Sequence, residues 1–252
     1  MIDLPSLRRD LENIVVEAGK LAQECRRTDF RVDAKPDGSV VTNGDRTVET
    51  FLRQELTDLV AGTSVWGEEF GWSEPGPGGV WLVDPIDGTT NYSLGSPLWG
   101  ISVALCVDSK LVLGAVALPD LNEVLIGARG HGVTLNGSPM QTLNPGPVTD
   151  RDLLGYCETV VQHSNGIRWP GRQRCAGAFV IEGCFVATGR YRGLVGMREK
   201  LYDVAGSVLI AEELGAEVRY ATGEPFEIQP LLADRKIDRL WVIFPKDSGF
   251  FQ

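Results

Sequence analysis

Histidine is nearly absent from this chain. His131 and His163 are the only two in 252 residues, which excludes a histidine-rich zinc centre. Cysteine is sparse and unpatterned. Cys25, Cys106, Cys157, Cys175 and Cys184 show no Cys-x-x-Cys spacing, and an odd number of thiols cannot all pair within one chain. Reduced thiols in a cytoplasmic protein are the expectation. No run of 18 apolar residues occurs, so nothing is expected to span a membrane. The start, Met1-Ile2-Asp3-Leu4-Pro5, lacks the basic-then-apolar pattern of a signal peptide. Positive charge is in deficit: 24 Lys and Arg face 34 Asp and Glu, a net charge of −10. That argues against a nucleic-acid partner gripped by a broad basic face. It leaves a phosphorylated substrate open, because bound metal reverses the local field.

What is present is organised around Val80-Trp81-Leu82-Val83-Asp84-Pro85-Ile86-Asp87-Gly88-Thr89-Thr90-Asn91. Val80 to Val83 reads as a short buried strand. Pro85 stops the ladder and holds Asp84 extended. Two carboxylates follow within four residues, then a glycine turn, two hydroxyls and the backbone N–H groups of a helix start. Hard oxygen ligands suit Mg²⁺, and helix-start N–H groups suit phosphate. Upstream, Leu7, Leu11, Ile14, Val15, Ala18, Leu21 and Ala22 repeat at helical spacing, as do Val48, Phe51, Leu52, Leu56, Leu59 and Val60. Ser64 to Gly67 reads as a strand running into Glu68-Glu69, and the Pro- and Gly-rich stretch from Gly71 to Gly79 as a short hairpin loop. Downstream, Trp99–Val107, Lys110–Leu118, Glu123–Ala128 and Val133–Leu135 predict an antiparallel meander turning at Asp108-Ser109 and Asn136-Gly137. Residues 141–152 are the candidate internal boundary, 153–170 carry no clear pattern, and the tail predicts strands near Ala216–Tyr220 and Leu240–Phe244.

The run Asp84-Pro85-Ile86-Asp87-Gly88-Thr89 resembles the signature of the inositol monophosphatase family, lithium-sensitive Mg²⁺-dependent phosphatases. Other segments carry the same resemblance. Lys35, Asp37, Ser39, Thr42 and Asp45 match a loop that lies over the metal site, and Gly67-Glu68-Glu69 matches a ligand-bearing segment. Arg174 with Gly177, and Tyr202-Asp203-Val204-Ala205, match two more. The resemblance covers roughly residues 35–216. It implies an α/β fold, a layered α/β/α/β/α sandwich, as one unit spanning 1–252, usually homodimeric. It implies two or three Mg²⁺ ions held by Glu68, Asp84, the Ile86 carbonyl, Asp87 and Asp203. Lys35 and Glu69 would stand beside these ligands. Glu68, Thr89, Asp84 and Asp45 would be catalytic, Thr89 orienting the attacking water, and Gly88 with Thr89 would hold phosphate. Asp87, Gly177, Ala178, Phe179, Arg192 and Asp203 would face the substrate.

Several positions depart from the family pattern. Ala178 stands where a hydroxyl is usual and Phe179 where the residue is usually small. Arg192 replaces an aspartate, and Gly196 replaces a glutamate that contacts a polyol hydroxyl. The implied activity is a phosphomonoesterase acting on a small sugar, cyclitol or nucleotide phosphate with an altered pocket. In that pocket Phe179 would stack on a flat ring and Arg192 would pair with an anion. A 3′-nucleotidase or bisphosphate nucleotidase activity, and a non-catalytic binding relative, are the alternatives.

Overall fold

The computed structural model describes residues 3–36, 38–163, 170–233 and 235–250. In chain order come α1 (Leu4–Thr28), β1 (Val32–Ala34), β2 (Val40–Thr42), α2 (Asn43–Leu59), β3 (Ser64–Gly67) and β4 (Val80–Asp87). Then follow α3 (Thr89–Ser93), β5 (Gly100–Val107), β6 (Lys110–Leu118), β7 (Glu123–Ala128), β8 (Val133–Leu135) and β9 (Ser138–Pro139). The last part holds β10 (Leu153–Tyr156), α4 (Glu158–His163), β11 (Arg172–Arg174), α5 (Phe179–Ala187), β12 (Gly193–Gly196), α6 (Leu201–Glu213), β13 (Ala216–Tyr220) and β14 (Trp241–Pro245).

Period-2 alternation decides which residues meet which layer. On β4, Trp81 and Val83 face the cluster built with α1 and α2, while Val80 and Leu82 face the cluster that includes α6. On β5, Ile101, Val103 and Leu105 point to the first side, and Ala104 and Cys106 to the second. These strands are buried on both faces because helices cover both. Burying Leu82 fully is worth about 2 kcal/mol. The seven strands run in the order β3-β4-β5-β6-β7-β8-β9, and a five-stranded sheet runs β11-β10-β12-β14-β13. On β14, Trp241 and Ile243 face α6 while Val242 and Phe244 face the outer cluster with Val160 of α4. The stacking order is therefore α1/α2, the seven-stranded sheet, α5/α6, the five-stranded sheet, α4: the expected α/β/α/β/α sandwich.

The meander from β5 to β8 is antiparallel throughout, as its turn signals predict. The hairpin expected across residues 71–79 is not formed. β3 and β4 run parallel, Ser64 opposite Val80 and Gly67 opposite Val83. Residues 68–79 carry the chain back along the sheet, and this return puts Glu68 and Asp84 at the same strand ends. Helix α2 begins at Asn43, five residues before its first apolar repeat. The Thr42 hydroxyl accepts from the Gly44 and Asp45 amides while Asp45 accepts from the Thr42 amide, a closed capping box. A methyl group at Gly44 would sit 2.7 Å from the Tyr92 hydroxyl, so glycine is needed for that approach. Residues 141–152 cross from one sheet to the other and are tied down on the way. Leu143 N–H donates to Leu214 O at 2.8 Å, Gly146 N–H to Lys246 O at 2.9 Å and Val148 N–H to Ser248 O at 3.0 Å. The unread stretch after 152 holds β10 and α4. All five cysteines are free thiols, and no helix among the described residues is long and apolar enough to cross a membrane.

Candidate active site

The end of β4 builds the centre. Asp84 pairs with Ser102 and Asp87 with Gly100, so two residues of β4, Pro85 and Ile86, face the single Ile101 of β5. This is a β-bulge, and it is placed where proline removes a ladder donor. The Ile86 amide turns back to the Asp84 carboxylate at 3.0 Å. Gly88 follows at φ 85°, a left-handed conformation that glycine adopts without strain, and caps α3. The Thr89 hydroxyl lies 3.0 Å from the Ile86 carbonyl and 3.1 Å from Asp45 Oδ1. Asp45 is fully buried; its Oδ2 accepts from the Thr42 amide at 2.8 Å and hydroxyl at 2.5 Å.

The other acids arrive from two more elements, and Asp87 from β4 itself. Glu68 leaves the end of β3, and Lys35 Nζ contacts Glu68 at 2.8 Å and Glu69 at 2.6 Å. Asp203 lies in the first turn of α6, where its Oδ2 accepts from the Lys200 amide at 2.7 Å. Asp87 Oδ2 accepts from the Val180 amide at 2.5 Å at the start of α5. The expected phosphate-binding pieces also meet. A methyl group on Gly88 would lie 2.7 Å from the Ala178 Cβ and 3.5 Å from the Gly177 carbonyl. Asn91 ties the two segments, donating to Leu98 O at 2.7 Å and Ala176 O at 2.9 Å.

The electrostatics report crowding of like charge. Burial and then the neighbouring Glu68 push Asp84 well above the ordinary carboxylate range, with Asp87 and Asp203 adding to it. Burial raises Asp87 to about 7, opposed by the Val180 N–H and reinforced by Glu68. Asp203 is driven well up by burial, Glu68 and Asp87. Burial works against the Lys35 ammonium, but Glu68 and Glu69 outweigh it and hold the group above its usual value. A divalent cation fits this donor set, because every candidate donor is an oxygen and, of the four acids, only Glu68 has a cationic side chain beside it. Among the described residues, no three His, Cys, Asp or Glu side chains yet close into a cage around an ion. Oxygens of Asp84, Asp87 and Asp203 accept from backbone amides and Glu68 is drawn to Lys35, so the acids stand in electrostatic range without converging.

Two expectations for the substrate side are corrected. Arg192 does not reach this centre. Its guanidinium donates to the carbonyls of Asn144, at 2.7 Å, and Gly146, strapping the 141–152 crossing to β12. Phe179 touches the cavity, but one face of its ring stacks on Trp241 at 5.3 Å, so that face is closed to a base. Beside Gly196, where the family pattern has a glutamate, the Trp241 indole fills the space. Of the loop pattern, Asp37 lies outside the described residues.

Sequence reasoning missed four contributors. Glu49, fully buried on α2, accepts from the Glu69 amide at 2.7 Å and the Phe70 amide at 3.2 Å and so shapes the Glu68 turn. Trp241 donates its indole N–H to Glu199 at 2.9 Å. Glu182 is 1% exposed and is the one charged residue in the apolar helix α5. That isolation is a signal a sequence reading could have used. Glu199 and Glu182 share with Asp87, Gly177, Phe179 and Asp203 the wall of a cavity of about 180 Å³.

The fold is a layered α/β sandwich with buried acids at a strand end beside a glycine turn. The chain belongs to the inositol monophosphatase family, whose family description matches residues 6–238, and the family is one of phosphatases. A histidinol-phosphatase of Mycobacterium tuberculosis is 32% identical over 209 residues, 77% of this chain and 79% of that one. A histidinol-phosphatase of Chlorobaculum parvum is 38% identical over 138 residues, 54% of this chain and 53% of that one. A staphylococcal inositol monophosphatase solved as a LiCl-soaked inhibitory complex superposes with a TM-score of 0.82 at 19% identity, covering 98% of this chain and 93% of that one.

Proposed function

We propose that this protein is a Mg²⁺-dependent phosphomonoesterase acting on a small phosphorylated metabolite. The observation that carries the reading is the gathering of Glu68, Asp84, Asp87 and Asp203, from three separate strand and helix ends, next to the Thr89–Asp45 hydrogen bond. Glu68, Asp84, Asp87, Asp203 and the Ile86 carbonyl would hold Mg²⁺. When bound, Mg²⁺ supplies neutralisation of the phosphate charge and activation of water.

The chain's own groups do the positioning. Thr89 Oγ1, held by Asp45 Oδ1, aims its lone pairs at an attacking water. Glu68 is the acceptor for that water's proton. The first amides of α3 have no acceptor within their helix and are donors for phosphate oxygens at Gly88 and Thr89. Gly177 and Ala178 close the phosphate side. No Ser or Cys nucleophile is required, and the half-buried Cys157 thiol, raised by desolvation and by Glu199, is unsuited to be one. The chain works as one unit, in the homodimer that the family expectation implies. The nucleotide alternative loses its main support with the closure of a Phe179 face. The histidinol-phosphatase relatives add histidinol phosphate to the substrates worth assaying.

The test is a panel of phosphomonoesters assayed with Mg²⁺ and with EDTA, on wild type and Asp84→Asn. Activity that disappears in EDTA, returns with Mg²⁺ and falls by several orders of magnitude in Asp84→Asn is expected. Full turnover in EDTA or in the variant would overturn the reading.

A further inference from the structure

The turn that follows β3 is folded around a buried charge. Gly67 and Gly71 exchange backbone hydrogen bonds at 3.2 Å and 3.1 Å and close a short loop. Inside it, the Glu69 N–H donates to Glu49 Oε2 at 2.7 Å and the Phe70 N–H to Glu49 Oε1 at 3.2 Å. Two successive amides converging on one carboxylate form an anion nest, and here the anion is the protein's own. Glu49 is fully buried on α2. Its charge is matched by Arg53, one helical turn on, whose Nε donates to Glu49 Oε1 at 2.9 Å. The rest of that guanidinium donates to Val65 O at 3.1 Å and Gly71 O at 3.4 Å, bracing β3 and the end of the loop. Gly67 is fitted to this contact, because a methyl group there would collide with the Glu49 carboxylate.

We propose that Glu49 is a positioning residue for the reaction: its buried carboxylate fixes the Glu68 turn against Thr89, so that α2 sets the spacing between a metal ligand and the group that orients water. The inference rests on the phosphomonoesterase reading above and adds to it a residue outside both the metal ligands and the cavity wall. Asp45 and Glu49 are four residues apart, so their side chains leave the same face of α2. Asp45 Oδ1 accepts from the Thr89 hydroxyl at 3.1 Å, and Glu49 accepts from the two amides that follow Glu68. The helix that carries both acids cannot slide. Its start is locked by the capping box of Thr42 and Asp45, and Val48 and Leu52 pack into the cluster that holds Trp81 and Val83 of β4. Glu68 is held on its other side too, its own N–H donating to Val83 O at 3.2 Å, next to Asp84. Without the Glu49 carboxylate, two N–H groups lose their acceptor and Arg53 loses its counter-ion, and the turn would relax to satisfy them. Glu68 projects from that turn, so its carboxylate would shift relative to Asp84 and Thr89. Groups that orient metal ligands from behind are worth roughly ten- to a hundredfold in metal affinity or activity.

Glu49→Ala, Glu49→Gln and Gly67→Ala test this, with Leu59→Ala, a half-buried residue at the far end of α2, as the control for general loosening. Two readouts are taken well below each variant's melting temperature. One is Mn²⁺ binding, followed by the EPR signal of the free ion; the other is kcat and KM for the best-hydrolysed phosphomonoester at saturating Mg²⁺. In Glu49→Ala, Mn²⁺ affinity and kcat are each expected to fall about tenfold or more, with KM within about threefold of wild type. Glu49→Gln keeps an acceptor oxygen and is expected to fall in between. Gly67→Ala displaces the carboxylate and is expected to reproduce Glu49→Ala. The double variant should be no worse than the more impaired single one, because both changes act through one contact. Mn²⁺ affinity and kcat within about twofold of wild type in Glu49→Ala, or equal losses in Leu59→Ala, would overturn the proposal. Should Glu49→Ala fail to fold, the same limits applied to Gly67→Ala decide. If the wild type hydrolyses no ester with any metal, the phosphatase reading fails instead, and Mn²⁺ binding alone then judges the role of Glu49.

Discussion

Gly196→Ala tests whether the lost glutamate marks an altered pocket or a packing solution. A Cβ at this position would lie 2.5 Å from Trp241 Nε1, 2.6 Å from Cε2 and 2.9 Å from Cζ2. Real carbon contacts are not that short, so either β12 or the indole has to move. The indole has little freedom. It is fully buried, stacked on Phe179, packed against Phe226 at 4.8 Å and hydrogen-bonded to Glu199. β12 is central in its sheet, paired to β10 and β14. Overpacking of this kind costs about 1–3 kcal/mol. For a chain of this length that is a fall in melting temperature of roughly 2–12 °C. Urea unfolding should show a lower midpoint with an unchanged slope. Trp241→Leu in the Gly196→Ala background should restore part of the loss, giving a coupling energy above about 0.5 kcal/mol in a double-mutant cycle. Because the indole positions Glu199 in the cavity wall, KM for the preferred ester should rise in Gly196→Ala as well. A Gly196→Ala protein melting within a degree of wild type, or a cycle with no coupling, would refute the packing argument and reopen the space beside Gly196 as a pocket.

Two other outcomes are expected. If Asp87 and Asp203 hold a Mg²⁺ ion, Li⁺ should compete for that place, and steady-state rates should fall with LiCl while an equal KCl series does not; superimposable curves would count against the metal assignment. Asp120 is pushed upward by burial, but hydrogen bonds from Gln23, Trp99 and Arg26 outweigh this and hold its carboxyl below the usual range. A carboxylate depressed on folding contributes stability that is present above its unfolded value, about 4, and is lost as pH falls through the folded value. Asp120→Asn should therefore be less stable than wild type at neutral pH, and the gap in urea midpoint should shrink as pH drops below about 4. A gap that stays constant with pH would show that the loss is packing and not charge.

Local signals in the chain account for much of the site. Asp84, Pro85, Asp87 and Gly88 are adjacent in sequence, and a proline bulge followed by a left-handed glycine places them by short-range sterics alone. Apolar alternation assigned the β5–β8 meander for the same reason: neighbours two residues apart share a face whatever the rest of the molecule does. The capping box at Thr42 and Asp45 was legible as residue types, although the helix it starts was expected to begin later. Long-range geometry decided the rest. Whether β3 and β4 pair parallel or as a hairpin depends on which strand edges are free, and no turn signal in residues 68–79 encodes that. Arg192 looked like a substrate cation because it stands at an aspartate of the family pattern; in space its guanidinium meets two carbonyls of a segment almost fifty residues away. Phe179 and Gly196 read as two independent departures and turn out to be one feature, joined by Trp241, far downstream in the chain. Glu182 shows the division most plainly. The sequence places a lone acid in an apolar helix, but only tertiary packing sets one of its oxygens against the Ala176 amide and leaves the other buried and unpaired, since desolvation depends on everything that surrounds a group and not on its neighbours along the chain.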